Sequence, residues 1–536
     1  MTNDQSLMPN DQSPITNHQS LITTSLLMTD NQTIARNSLI LYIRLIITTI
    51  IGLYSSRIVL LELGAEGFGL FAVVGGIVAM LNMLNITMIT TSNRYIATEI
   101  GKKDGYELNK VFNSLLVVHL FFGLILFAFV EVVGVWYVQN HLNIEAGRLP
   151  DALFILRLSA ISAIVSTVIV PYQGLITAHE SFFIRATIEV LQSLLALCAV
   201  ILLTFHAGNK LQAYAIYILM VQIIVAALYF IYCKLKHSKA IRLKINKQSA
   251  DYIGISKFFG WQLVSVAGSI GVTQGGAIII NLFFGTVLNA AYGIAFRVSD
   301  LAFAFVQNLN QAALPQIMKS YSGGNRQRTI DIVYKLTKYT YFIMLIPAVP
   351  ILLSIDAILL IWLKEVPPFT AAFVVFRIVH GLISSLQSGF DMTINASGNI
   401  RKTKVFFSIL FLSMLPLVYL LYSLNFPPYT LTIVLICAEV VFLLFQTRVL
   451  SGISEFTFLE YFSKTLLPVF FVTSLIIPQF FVRQLLGDNL VSLLWISFLS
   501  VILNTTIIYF AGLDKKEKNV INSYLNKLPL IRTVLG

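Results

Sequence analysis

The sequence predicts an all-α membrane protein that crosses the bilayer about fourteen times, and three observations support this fold class. Hydrophobic residues make up 57% and charged residues 12% of the 536 residues, and the mean hydropathy of +0.80 exceeds that of soluble domains. Apolar runs long enough to cross a hydrocarbon core of about 30 Å recur from Ser38 to Gly512. Lys and Arg concentrate in alternate loops between these runs.

Each predicted span ends where polar or charged residues accumulate. The spans cover residues 38–60, 67–90, 111–135, 152–176, 184–205, 211–233, 258–283, 287–314, 339–363, 370–394, 405–425, 430–449, 465–483 and 490–511. The first twelve divide into two sets of six, and Gly64 and Gly285 follow the first span of each set, 221 residues apart. This spacing indicates two pseudo-symmetric six-helix lobes, followed by two extra C-terminal helices.

The predicted organisation has six parts. They are a disordered N-terminal tail (1–37), an N-lobe (38–233), a basic cytoplasmic linker (234–257), a C-lobe (258–450), two additional transmembrane helices (451–511) and a cytoplasmic amphipathic tail (512–536). The N-terminal tail repeats a seven-residue unit that begins "NDQSLMP", and translation from Met28 is as good an interpretation as translation from Met1.

The distribution of the net charge of +12 argues for membrane topology and against nucleic acid as a partner. Basic residues cluster around residues 94–110, 234–257, 319–338 and 401–404, whereas the intervening loops hold few. By the positive-inside rule, both termini are cytoplasmic. Cys198, Cys233 and Cys437 form no CxxC pair, and no P-loop motif occurs, so we expect no metal, disulfide framework or nucleotide cofactor.

Arginines lie within the predicted spans, among them Arg44, Arg57, Arg157, Arg297 and Arg377. A cation at mid-depth costs about 2.5 to 3.5 kcal/mol, so each needs a partner, a water-filled cavity or access to the interface. Arg57 and Arg157 lie near span ends, where their side chains can reach the interface. The stretch "AYGIAFRVSDLAFAFVQ" places Arg297 and Asp300 three residues apart, as in a structural ion pair, but deep within a span.

Polar stripes accompany these arginines when each span is turned at about 100° per residue. The stripes hold Arg44, Thr48 and Ser55; Asn82, Asn85 and Asn93; Gln262, Ser265, Ser269 and Thr273; Thr286, Asn289, Arg297, Asp300, Asn308 and Gln311; and Arg377, Ser384, Ser388, Asp391 and Asn395. Hydrogen bonding between packed helices is one explanation. Their recurrence on the first two spans of both sets favours a central cavity, and arginine favours a phosphate-bearing anion.

Glycines interrupt the seventh span at Gly268, Gly271, Gly275 and Gly276. They predict either a moving gate beside the cavity or close helix packing.

The basic-looped layout, the opening "RNSLILYIRLIITTIIGLYSSRIVLLELGAEGFGLFAVVGGI" and the later "AYGIAFRVSDLAFAFVQNLNQAALPQIMKSYSGGN" resemble polysaccharide (O-antigen) flippases of the Wzx type. These belong to the multidrug/oligosaccharidyl-lipid/polysaccharide (MOP) exporter superfamily, which includes the MATE transporters. The resemblance covers about residues 34 to 450, and the last two spans resemble those of fourteen-span lipid II flippases. Its patterns are diffuse, so they indicate the superfamily more specifically than the subfamily.

The resemblance implies a transporter rather than an enzyme, in the bacterial inner membrane. It would carry an undecaprenyl-pyrophosphate-linked oligosaccharide to the periplasmic leaflet by alternating access, with a polymerase and other polysaccharide-assembly proteins as partners. Arg44, Arg297 and Arg377 would bind the pyrophosphate, and Asn82, Asn85, Gln262 and Asn308 would complete the substrate site. Asp300, Asp391, Glu189 and Glu439 would orient arginines or couple transport to H⁺ or Na⁺.

Three other functions stay open. A multidrug antiporter of the same superfamily would carry cations and would need an acidic residue in the first span, where this chain has Arg44. A lipid II flippase would share the anionic cargo. A membrane polymerase or ligase would need a large catalytic loop, but the longest outward segment, 136–151, contains no recognisable catalytic set.

Overall fold

The computed structural model is all-helical over the residues that it describes. These are residue 34 and residues 36–52, 54–59, 61–64, 67, 70–71, 74, 83–102, 107–140, 146–244, 249–363, 366–484 and 490–525. Nearly all of the predicted disordered tail, and most of the first half of the second span, lie outside them.

A first group of six helices corresponds to the first six predicted spans. The helices are α1 (Arg36–Gly64), α2 (Met83–Gly101), α3 (Leu108–Asn140), α4 (Leu149–Ala178), α5 (Phe182–Thr204) and α6 (Lys210–Lys236). Their ends follow local sequence, as at α6, where the Asn209 side chain accepts hydrogen bonds from the backbone nitrogens of Leu211 and Gln212 at 3.1 and 3.2 Å.

A second group of eight helices follows the basic linker, and three more helices complete the described chain. The second group comprises α7 (Asp251–Gly285), α8 (286–322), α9 (Arg326–Leu353), α10 (Ile355–Leu363), α11 (Thr370–Ser385), α12 (Ser388–Ser397), α13 (Arg401–Ser423) and α14 (Thr430–Ile453). The last three are α15 (Phe458–Val482), α16 (Trp495–Gly512) and α17 (Lys515–Leu525).

Eleven helices among the described residues are long and apolar enough to span a membrane, which supports a multi-pass membrane protein. The α11–α12 pair, bent by 46°, would be a twelfth span. The predicted number of fourteen is therefore not confirmed. Helix α8, with Arg297 and Asp300 in its apolar run, is not among the eleven, and α2 is described only from Met83.

Gly285 is the non-helical residue that separates α7 from α8, and its φ of +80° suits a residue without a side chain. The Tyr292 hydroxyl lies 3.2 Å from the position that a Cβ of Gly276 would occupy, so α8 folds back along α7. Gly64, at the corresponding end of α1, also has a positive φ of +68°. This match agrees with the predicted internal repeat.

The glycines of α7 bring it close to α13. A Cβ added at Gly268, Gly271 or Gly275 would lie 2.6 to 2.7 Å from atoms of Ser408, Leu412 or Leu415. The structure therefore supports the packing explanation for these glycines, and it does not use them as breaks within α7.

The two groups contact each other at the end where the basic loops lie, which we call the basic end. Glu180, between α4 and α5, pairs with Lys319 of α8 at 2.8 Å. Arg94 Nε of α2 donates to the Asn395 carbonyl of α12 at 2.7 Å. Further contacts between the groups in the basic half of the helices are Tyr42 to the Phe305 carbonyl and Lys110 to Asp251, each at 3.0 Å. We call the opposite end, where Gly64 and Gly285 lie, the open end, and the space between the two groups the cleft.

The last three helices pack on α9. Val472 and Ile476 of α15 and Ile508 of α16 join a cluster with Phe342 and Leu345 of α9. In α17, Glu517 forms a buried ion pair with Lys338 of α9, at 2.7 Å, and the two side chains are 5% and 7% exposed. The predicted amphipathic tail thus begins with a helix that is fixed to the transmembrane bundle.

Candidate functional site

Arg44 of α1 lies in a cluster that crosses from the first group to the second. Its Nη1 pairs with Glu189 of α5, and its Nη2 donates to Asn308 Oδ1 of α8 at 2.7 Å. The other Glu189 oxygen accepts from Arg185 Nε at 3.0 Å. The Glu189 carboxylate is thus shared by two arginines, which compensates much of the cost of charges at this depth. Glu189 therefore orients Arg44.

Arg377 of α11 belongs to a second cluster within the second group. Its guanidinium lies 4.1 Å from the ring centre of Phe296, and Nη1 contacts His380 Nδ1 at 3.1 Å. His380 Nε2 lies 3.5 Å from Glu439 of α14, whose other oxygen accepts from Gln387. This network joins α8, α11 and α14 around a nearly fully buried carboxylate, which is 6% exposed.

Arg297 is exposed on α8, and among the described residues it forms no hydrogen bond or ion pair. Asp300 is also exposed, and the predicted i,i+3 ion pair with Arg297 is not formed. Asp300 lies one helical turn from Phe296, the residue that Arg377 contacts. Arg297 thus offers a guanidinium with all of its donors available to a ligand.

Helix α8 places these arginines at two depths. Arg297 and Asn308, the partner of Arg44, are eleven residues apart, which is about 16 Å along the axis and nearly the same helical face. Arg377 contacts Phe296, so it lies at the level of Arg297. The three arginines that were expected to bind one pyrophosphate therefore lie at two levels, Arg44 near the basic end and Arg297 and Arg377 toward the open end.

The remaining predicted residues have mainly helix-to-helix contacts. Asn85 donates to Ser166 Oγ at 3.1 Å, and Gln262 donates to Asn395 Oδ1 at 2.9 Å. Asp391 pairs with Lys404 at 2.7 Å, so it does not orient an arginine of the site. Asn82 lies outside the described residues. For Asn85 and Gln262, interhelical hydrogen bonding describes the polar stripe better than exposure to a ligand.

A cavity of about 450 Å³ lies toward the open end of α7 and α8, near Gly285. Three amide side chains line it, those of Gln274, Asn281 and Asn289, together with Ile278 and Leu282. Amides offer both donors and acceptors, so the cavity can hydrogen-bond neutral hydroxyl-rich groups.

Sequence reasoning missed Arg185, which shares Glu189 with Arg44. Its spacing of four residues from Glu189, one helical turn, is the signal that would have found it. Cys198, Cys233 and Cys437 are free, and no group of His, Cys, Asp or Glu side chains within the described segments could hold a metal ion.

No family model matches this chain, and no curated protein matches it in sequence. Solved structures match it in fold. A MATE structure in the bent conformation has a TM-score of 0.71 at 14% identity, covering 79% of this chain and 96% of that chain. An outward-facing multidrug resistance MATE transporter of the MOP superfamily has a TM-score of 0.68 at 14% identity, covering 78% and 96%.

A MOP superfamily transporter from Pyrococcus furiosus, described by a binding pocket of reverse polarity that suggests a different function, is also similar. Its TM-score is 0.65 at 15% identity, and the match covers 79% of this chain and 96% of that chain. The predicted fold class is therefore confirmed: the chain has the MATE/MOP transporter fold.

Proposed function

We propose that this protein is a flippase for a polyprenyl-pyrophosphate-linked oligosaccharide, and that it serves surface polysaccharide synthesis in the bacterial inner membrane. The observation that carries the proposal is Arg297, an arginine in an apolar helix that is exposed and has no partner among the described residues. Such a charge is expensive unless water or an anion reaches it. Its planar fork binds phosphate oxygens in pairs, so a pyrophosphate lipid fits it well.

The two levels of arginine suggest the route of the phosphate. Arg44, near the basic end, would capture the headgroup when that end is open. In the conformation described here, Glu189 occupies Arg44 Nη1, so a phosphate at this level would compete with a carboxylate. Arg297 meets no such competition among the described residues. The headgroup would therefore move about 16 Å toward the open end, where the amide-lined cavity could contact its sugars.

The direction of transport and the energy source belong to the same proposal. With the basic loops in the cytoplasm, as the positive-inside rule implies, both termini are cytoplasmic and the cleft opens to the periplasm. The buried Glu439, with His380 and Gln387, is our candidate for coupling to H⁺ or Na⁺. A polysaccharide polymerase and related assembly proteins would receive the flipped product.

Arg297→Ala and Arg297→Lys test this function in a strain whose surface glycan depends on the protein. We expect both variants to reach the membrane, Arg297→Ala to abolish export, and Arg297→Lys to retain part of it, because a lysine keeps the charge and loses the bidentate fork. The matched control is Arg157→Ala, since Arg157 is 56% exposed and pairs with Glu131 at 3.3 Å. Normal export by both Arg297 variants would remove Arg297 from the site.

A multidrug antiporter is the second candidate, and the charge balance at the level of Arg377 favours it. Arg297 and Arg377 are matched there by Asp300 and Glu439, and Phe296 offers an aromatic face, so this level could also accept an organic cation. Growth of an exporter-deficient host in the presence of inhibitory cationic dyes separates the two candidates. Resistance to the dyes that depends on Asp300 would favour the antiporter. Growth inhibition that the protein does not relieve would favour the flippase.

A further inference from the structure

A second cavity, of about 480 Å³, lies at the basic end where the two helix groups meet. We call it the basic pocket. Arg94 of α2, Lys257 of α7 and Arg401 at the start of α13 line it, together with Phe258, Trp261 and Gly398. It is separate from the cleft site, because none of these residues belongs to the Arg44 or Arg377 cluster.

The three cations of the basic pocket have no carboxylate partner among the described residues. The acidic residues of the helices that border the pocket are already paired: Glu99 of α2 with Lys102 at 2.9 Å, Asp251 of α7 with Lys110 at 3.0 Å, and Asp391 of α12 with Lys404 at 2.7 Å. Three uncompensated positive charges therefore converge on one concave space, whose potential attracts an anion.

Aromatic rings hold two of the cations in place without consuming the charge. The Arg94 guanidinium lies 4.6 Å from the ring centres of both Tyr95 and Phe258, and that of Arg401 lies 5.1 Å from Trp261. Gly398, whose φ of +78° favours glycine, lets Arg94 Nη2 lie in the space that a Cβ would occupy. The pocket is thus shaped around its arginines before any ligand binds.

We propose that the basic pocket binds the phosphate or pyrophosphate group of a ligand, and that the bound ligand holds the basic end closed. Arginine and lysine donors match phosphate oxygens, and basic pockets between transmembrane helices on the cytoplasmic side are typical sites for anionic lipid headgroups. The same chemistry would accept a soluble pyrophosphate. This inference does not depend on the cargo of the cleft.

Closure follows from where the lining residues come from. Arg94 belongs to the first helix group, and Lys257 and Arg401 belong to the second. A phosphate that contacts both groups binds better when they are together, so its binding energy shifts the population toward the closed basic end.

The test uses the full-length protein in phosphatidylcholine nanodiscs and has two arms. One arm adds inorganic pyrophosphate and measures its binding by calorimetry. The other arm adds increasing fractions of phosphatidylglycerol to the nanodiscs and follows the thermal unfolding midpoint. Each arm compares the wild type with Lys257→Gln and Arg401→Gln, two exposed cations whose replacement leaves the core intact. Lys402→Gln is the matched control, since Lys402 is exposed and adjacent but does not line the pocket.

We expect each pocket variant to weaken binding about tenfold or more, and the control to behave as the wild type. Binding of pyrophosphate would identify a soluble ligand, and a response to phosphatidylglycerol alone would identify a lipid headgroup. Absence of both, or equal losses in Lys402→Gln, would overturn the proposal.

Spin labels at Glu107 and Gln327, one on each group, test the closure, with the three cysteines replaced by alanine. The ligand should increase the short-distance population in the wild type and leave it unchanged in Arg401→Gln. An unchanged population in the wild type would overturn the closure.

Discussion

Gly101, the last residue of α2, provides a direct test of how the basic end closes. A Cβ at this position would lie 2.8 Å from both the Cα and the carbonyl oxygen of Lys319 on α8. Ordinary contacts of a Cβ begin near 3.4 Å, so Gly101→Ala needs about 0.6 Å more space to reach one, the difference between these two distances. Since the obstructing atoms belong to the backbone, a side-chain rotation cannot provide that space.

In the proposed transport cycle α2 and α8 separate when the basic end opens, so the cost of this substitution falls on the closed state alone. Overpacking costs about 1 to 3 kcal/mol. This energy corresponds to a shift of about 5-fold to 150-fold in the closed-to-open ratio. A closed state favoured by a few kcal/mol would therefore become a mixture of both conformations.

Double electron–electron resonance between labels at Glu107 and Gln327 measures this shift. We expect Gly101→Ala to increase the population at the longer distance relative to the wild type. Gly260→Ala is the control, because a Cβ at Gly260 meets nothing within 4 Å. Identical distance distributions for Gly101→Ala and the wild type would refute the reasoning.

Three further predictions concern buried charges. Glu189→Gln leaves Arg44 without its carboxylate, at side-chain exposures of 19% and 15%, so the free energy of unfolding in mixed micelles should fall by about 3 kcal/mol; wild-type stability would argue against the shared carboxylate. Glu517→Gln leaves Lys338 buried and unpaired, so hydrogen exchange in α17 should accelerate, and unchanged exchange would contradict the ion pair. Burial lowers the pKa of His179, so the unfolded chain binds more protons at this residue than the folded chain does. The free energy of unfolding should therefore fall as the pH drops below about 6.5, and it should fall less steeply in His179→Gln. A pH profile unchanged by the variant would count against this effect.

Hydropathy predicted where helices occur, but it located only the lipid-facing part of some of them. Helix α3 begins at Leu108, close to the predicted residue 111. Helix α9 begins at Arg326, thirteen residues before the predicted 339, because its first turns are polar and lie at the basic end. The break between Ser385 and Ser388 was not predicted, since neither Leu386 nor Gln387, the two residues between the helices, is a helix breaker.

Helical periodicity predicted which side chains share a face, and it could not predict their partners. Arg297 and Asn308 were assigned to one stripe of α8, and the structure agrees with that spacing. That Asn308 would bind Arg44, and that Arg44 would pair with Glu189, depends on how three helices distant in sequence meet. Such contacts are set by tertiary packing, to which a periodic pattern is blind.

The one-residue connection at Gly285 couples the positions of α7 and α8. Since a single residue joins them, the ends of the two helices at Gly285 move together. Helix α8 carries Arg297, and helix α7 carries Trp261 at the basic end. A ligand that moves Arg297 would thereby also displace α7 and the side of the basic pocket that Trp261 forms.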